Sequence, residues 1–121
     1  MRIIRNIGLL LVCLVLLTAC ANSKEKVKTR TIKDSSGIEF ISNQLIITVD
    51  KKASTNYTED VVKKIEATID NYSVLDLYIY TINLDYKEFK SLDEINKYCN
   101  ELVSKYKYIK SCSANTISSA D

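Results

Sequence analysis

Hydrophobic positions along the chain fall into blocks of different period, and the periods predict the elements. Residues 7–17 form one apolar run behind Arg2 and Arg5. The run is shorter than the roughly 20 residues a bilayer-spanning helix needs and reads as the apolar part of a secretory signal peptide. Residues 44–49, from Gln44 through Leu45, Ile46, Ile47 and Thr48 to Val49, are apolar and β-branched and stop at Asp50-Lys51-Lys52, which predicts a strand. The period then changes. Val61, Val62, Ile65 and Ile69 recur at helical spacing behind Glu59 and Asp60, where a helix dipole favours negative charge, so a helix is expected from Thr58 with Asn71 near its end.

Residues 72–84 are the richest β segment, longer than the usual strand of about 5–6 residues. It reads either as one long strand or as two joined tightly near Asp76, and no Asn-Gly or Gly pair marks the joint. Within it Leu75, Leu77 and Ile79 alternate with Tyr78, Tyr80 and Ile82, so both sheet faces carry apolar bulk. One set packs on the helices and the other is free to meet a partner, with Tyr78, Tyr80 and Ile82 the expected partner-facing set; the alternative is an ordinary tyrosine-bearing outer face. Ser91-Leu92-Asp93-Glu94 matches a capping box. Leu92, Ile95, Cys99, Leu102 and Tyr106 follow on one helical stripe, which turns Cys99 inward. A last strand is expected over residues 108–112, followed by Ala114, Asn115, Thr116 and Ile117. Strand, helix, one or two strands, helix, strand predicts an α+β fold of the ferredoxin-like split βαβ kind, an antiparallel sheet with two helices on one face.

Charge sharpens the organisation. Removing residues 1–19 deletes Arg2 and Arg5 and leaves 15 basic against 15 acidic residues. Lys24, Lys26, Lys28, Arg30 and Lys33 crowd the start of what remains, and from Ser35 onward 10 basic residues face 13 acidic ones. The expected division is a signal peptide over 1–19, a lipidated N-terminus and basic flexible tether over 20–36, and a single α+β domain over 37–121, enough for one small core. The tether can lie against anionic lipid or serve as a solvated spacer. Nucleic acid is not an expected partner of an exported domain without a net basic patch.

Chemistry is limited by what the chain lacks. It has no histidine, and beyond residue 19 only Gly37, so Ser-His or Cys-His nucleophile pairs and Gly-rich phosphate loops cannot be assembled. Asp93 with Glu94 and Glu59 with Asp60 sit at predicted helix starts, where dipole complementarity accounts for them. No metal-ligand spacing stands out, and no cofactor or metal is expected. An enzyme is not expected. Cys99 and Cys112 are thiols of the mature domain that could form one disulfide in an oxidising compartment, or sit as two small buried apolar residues.

Two resemblances add function. Leu17-Thr18-Ala19-Cys20 resembles the lipobox of bacterial lipoproteins. That resemblance implies cleavage before Cys20, acylation of its thiol, export and anchoring to the cell membrane. Ala21 after the anchor favours the outer membrane if the cell has one. Residues 43–49, the tyrosine-rich central strand, Ser91-Leu92-Asp93-Glu94 and residues 108–115 together resemble the propeptides of subtilisin-like serine proteases and their free-standing inhibitor relatives, over residues 43–121. Ile109 and Asn115 match that family's last strand, while Ser113-Ala114 stands where it has Glu-Pro. The resemblance implies a tail of Thr116, Ile117, Ser118, Ser119, Ala120 and Asp121 lying product-like in a protease cleft. The expected function is a lipid-anchored protein-binding module, an inhibitor or chaperone of a subtilisin-like protease. The alternative is a structural or protective envelope lipoprotein of the immunity or exclusion type with no protease partner.

Overall fold

A computed structural model of the chain describes residues 25–117. The fold is α+β, a curled antiparallel sheet of five strands with two helices. In chain order the elements are β1 (Thr31–Lys33), β2 (Glu39–Val49), α1 (Tyr57–Lys64), β3 (Ala67–Val74), β4 (Tyr78–Leu84), α2 (Leu92–Lys105) and β5 (Ile109–Ile117). β2 is the organising strand. β5 flanks one edge of β2 along most of its length, while the other edge is shared, β1 opposing residues 39–41 and β4 opposing residues 44–49. β3 pairs with β4 beyond, so the sheet reads β5-β2-β4-β3 with β1 continuing the line of β4.

Alternation places the core. Leu45, Ile47 and Val49 of β2, Ile82 and Leu84 of β4 and Ile109 of β5 are buried on one sheet face. Val61 and Val62 of α1 and Ile95, Cys99 and Leu102 of α2 join them in a single cluster. The apolar stripe expected on the second helix is therefore the buried face of α2, and Tyr106 closes it as the residue after the helix. Cys99 and Cys112 are bonded, S–S 2.12 Å with Cα atoms 5.1 Å apart, which joins α2 to β5.

The start of α2 follows the capping box with one change. The Glu94 N–H donates to Ser91 Oγ at 3.2 Å, but the Glu94 carboxylate accepts from the Lys90 N–H at 2.8 Å rather than from that of Ser91. The Leu92 N–H donates to Asp34 Oδ1 at 3.3 Å. Asp34 belongs to the β1–β2 turn, where Gly37 adopts φ +88, a left-handed conformation that glycine takes without steric cost. The stretch expected to be a flexible tether thus contains a strand, and a domain boundary at Gly37 cuts through the β1–β2 hairpin. Arg30 adds a two-pronged ion pair to Glu88 at 2.6 and 3.1 Å.

One further expectation is corrected and one open alternative is settled. The first helix stops at Lys64, because Ile65 leaves helical geometry and Glu66 turns left-handed at φ +55. Ile69, four residues past Ile65 and in phase with the helix, enters β3 and packs against the core from there. A 3.6-residue period across one apolar position cannot be told from a strand that begins after a tight turn. The central segment is two strands rather than one, with residues 75–77 as the turn and the Leu75 N–H donating to the Leu77 carbonyl at 3.0 Å.

β2 also carries an irregularity that its sequence does not mark. Phe40 pairs with Thr116 and Leu45 with Ala114, five steps on one strand against two on the other. Inward residues change parity across it, from Phe40 and Ser42 to Leu45, Ile47 and Val49. Ser42, Asn43 and Gln44 are consequently all buried. The Phe89 N–H donates to the Ser42 carbonyl at 2.7 Å and Asn43 Nδ2 to the Leu84 carbonyl at 3.2 Å, which fixes the β4–α2 connection against β2.

Candidate functional site

The two sheet faces are unlike. On the face away from the helices, Gln44 Nε2 donates to Asn83 Oδ1 at 2.7 Å and Asn115 Nδ2 donates to Gln44 Oε1 at 2.8 Å, a side-chain ladder across β4, β2 and β5. Thr48 and Ser111 share a hydrogen bond of 2.6 Å on the same face. Pairing puts Thr81, Ile79 and Ser113 there too, so over residues 44–48 of β2 and their partners this surface is polar apart from Ile46 and Ile79.

The exposed apolar surface lies on the helix side instead, at the turn end of the β3–β4 hairpin. Two strands joined at Asp76 place Tyr72 opposite Tyr80 and Val74 opposite Tyr78. The Tyr72 and Tyr80 rings stack with centroids 5.8 Å apart and planes 27° apart, and Tyr78 follows at 6.4 Å from Tyr80. The eight residues of α1 span about 12 Å, whereas the eight of β3 span about 26 Å. The helix therefore runs out before the hairpin does. The uncovered remainder is a groove of about 330 Å³, floored by Val49 and Ile69, walled by the three tyrosines, and closed by Thr58 and Glu59 of α1 and the loop through Ala53. Tyr72 on its wall and Val74 and Leu75, the next apolar residues along the hairpin, are 62%, 50% and 69% exposed. Three neighbouring large apolar side chains at one hairpin end form a patch of the kind that marks an interaction site.

Ile82 is wholly buried, which removes it from any contact surface. Tyr78 and Tyr80 share its side of the sheet, so the expectation that these three cover an open sheet face is corrected: the tyrosines line the groove and Ile82 belongs to the core. Thr116 and Ile117 are the last two residues of β5, paired with Phe40 and Glu39, not part of a tail. Ser118, Ser119, Ala120 and Asp121 lie outside the described residues, as does Cys20. Sequence reasoning missed Tyr72, Val74, Glu59 and Thr58. Asp76 was the available signal, since a turn centred on it forces Tyr72 onto Tyr80.

Elsewhere, Lys87 Nζ lies 5.5 Å from the Phe89 ring centroid and 5.1 Å from that of Tyr98, over an open hollow bounded by Glu94, Lys97 and Glu101. Burial, with the neighbouring Tyr106 and Glu101, pushes the Tyr98 hydroxyl pKa up, which keeps it protonated. Among the described residues no group of three or more His, Cys, Asp or Glu side chains could hold a metal ion, and no helix is long and apolar enough to cross a membrane. Comparison with family models, with curated proteins and with solved structures finds no match to this chain.

Proposed function

We propose that the protein is an exported, lipid-anchored module that binds another protein through the turn end of its β3–β4 hairpin. The observation that carries this reading is the tyrosine groove together with the exposed Tyr72, Val74 and Leu75 at the same end of the hairpin. Its position fits an anchored protein. The Val27 N–H donates to the carbonyl of Asp85, just past the far end of β4, and β1 pairs with the Glu39 end of β2, so the chain leading back to Cys20 leaves from the pole opposite the groove. β2 alone has 11 residues, on the order of 30 Å between those poles. A membrane held through Cys20 then leaves the groove facing outward. The lipobox supports the anchor, and the missing histidine favours binding over catalysis.

A narrower reading is a ferredoxin-like split βαβ sandwich related to subtilisin propeptides. The strand order β5-β2-β4-β3 supports it, with one core joining both helices to the same sheet face. With Thr116 and Ile117 held in β5, an inhibitory segment would start no earlier than Ser118. Titrating the mature chain against subtilisin-like proteases separates the two: undiminished proteolysis at micromolar concentration removes inhibition and leaves the binding module.

The module is tested by placing a photo-crosslinking residue at Tyr72 or Val74 in cells and identifying what it captures by mass spectrometry, with Ser113 on the polar face as the control position. A protein captured from the hairpin and not from Ser113 is the expected result. Equal capture at all three, or none, overturns the reading.

A further inference from the structure

The hairpin that builds the groove carries acidic residues and no basic ones, with Asp70 and Asp76 toward the groove end and Glu66 and Asp85 at the far end. Between Lys64 and Lys87 the chain contains Glu66, Asp70, Asp76 and Asp85 and not one lysine or arginine, although basic residues are frequent on either side. Glu59 adds a carboxylate on the groove wall, with Asp60 beside it. Among the described residues Glu59, Asp60, Asp70 and Asp76 have no ion pair, whereas Arg30 is matched by Glu88 and Lys110 by Asp50. The rings of the groove differ from several of those outside it. Lysine ammonium groups lie 5.1 to 5.5 Å from the ring centroids of Phe89, Tyr98, Tyr106 and Tyr108, and no cation of the described residues lies over Tyr72, Tyr78 or Tyr80.

β3 adds a way for a partner to lie there. Among the described residues it pairs with β4 on one side only, so its outer edge offers backbone groups that no described strand takes. A polypeptide added to that edge projects alternate side chains to the helix side of the sheet, toward the tyrosines. The positive end of the α1 dipole opposes a cation near Thr58, but it is equivalent to only about half a charge against the full charge of Glu59.

Resting on the reading of the protein as a binding module, the geometry points to a specific partner class: the groove takes an extended basic segment of another protein, seating lysine or arginine side chains over Tyr72, Tyr80 and Tyr78 beside Glu59. Ring faces attract an ammonium or guanidinium through their quadrupole, and Glu59 supplies the counter-charge.

The test uses the full mature chain and a fluorescent seven-residue peptide alternating threonine with lysine, compared by anisotropy with the same peptide carrying norleucine, which keeps the aliphatic stem without the charge. Lysine peptide binding at least tenfold tighter than norleucine peptide is expected. Tyr72→Leu and Glu59→Gln, both at exposed positions, should each weaken it about three- to tenfold, the range set by one exposed cation–π contact or more. Equal or tighter binding of the norleucine peptide overturns the inference, as does lysine peptide binding that neither substitution alters. A dimer in sedimentation equilibrium that Tyr72→Glu dissolves also overturns it, because a second copy of this chain would then be the occupant. Crosslinking from Tyr72 keeps the two levels apart. A captured protein together with indifference to lysine removes the cation and leaves the module, while no captured protein removes the module itself.

Discussion

One half of the sheet is fastened and the other is offered. Cys99 in α2 is bonded to Cys112 in β5, and around that bond Ile47, Ile95, Leu102 and Ile109 are buried, whereas the β3–β4 hairpin ends on Tyr72, Val74 and Leu75 with half or more of their surface in water. The difference traces to helix length. α2 has 14 residues and spans about 21 Å, which covers most of β5, while α1 has eight and leaves the hairpin uncovered beyond Ile69. A short helix over a long hairpin yields a groove without any strand being disordered. The same core cluster reaches both halves, since Ile69, Tyr78 and Tyr80 of the hairpin pack against it.

The comparison is broken most forcibly where the halves meet. Ile82 in β4 is wholly buried, pairs with Leu45 on one side and with Ile69 on the other, and links the fastened strands to the hairpin. Ile82→Ala should cost about 2–5 kcal/mol in denaturant unfolding, the range for truncating a core aliphatic side chain. A loss under about 1 kcal/mol would mean the hairpin is not anchored through the common core. The disulfide comes next. Closing a loop of 13 residues constrains the unfolded chain by about 3 kcal/mol, so Cys99→Ala with Cys112→Ala should lower stability by about that amount. Reductant should destabilise the unsubstituted protein similarly and leave the double variant unmoved.

How much of this was legible in the sequence differs between the same two halves. The α2 stripe could be read because Leu92, Ile95, Cys99 and Leu102 keep one period behind a recognisable capping box, and the inward turn of Cys99 followed from it. The hairpin half could not. Val61, Val62, Ile65 and Ile69 fit a helix, and only the left-handed turn at Glu66, a residue type that does not announce such a turn, divides them between α1 and β3. Tyr78 and Tyr80 were legible as one sheet face, but which face depends on helix coverage and on the position of the turn, and alternation carries neither. The bulge in β2 was equally hidden: residues 41–44 contain no glycine or proline, and its partners Leu84, Phe89 and Asn115 are distant in sequence.

A smaller effect is expected at the seam between the β1–β2 turn and α2. Ser91→Ala removes the acceptor for the Glu94 N–H and should cost about 1 kcal/mol. Asp34 gives the seam a dependence on pH. The Ser36 hydroxyl at 2.9 Å, then the backbone N–H of Leu92 and those of residues 35 and 36, hold its carboxyl below the ordinary value of 3.8, against an opposing desolvation. A carboxylate whose folded pKa is depressed contributes stability above its unfolded value, and that contribution is lost as pH falls through the folded one. The stability difference between the protein and Asp34→Asn should therefore be constant from pH 7 down to about 5 and shrink below pH 3.8. A difference that persists unchanged to pH 2 would assign the seam to the fold of the turn and not to the charge of Asp34.

The smallest effect on stability is expected where the exposed surface is largest. Leu75 is 69% exposed in the hairpin turn, and its backbone hydrogen bond to Leu77 survives any side chain. Leu75→Ser should change unfolding free energy by no more than about 0.5 kcal/mol, as for other surface substitutions that remove no packing. Its effect on partner capture should be large by contrast, because a contact patch loses apolar area in the bound state only. Stability and capture falling together would place Leu75 in the framework and make the exposed end a requirement of folding. Capture falling alone separates the two halves by role as sharply as helix length separates them by structure: a chain that folds equally well without an apolar tip keeps it for something outside itself.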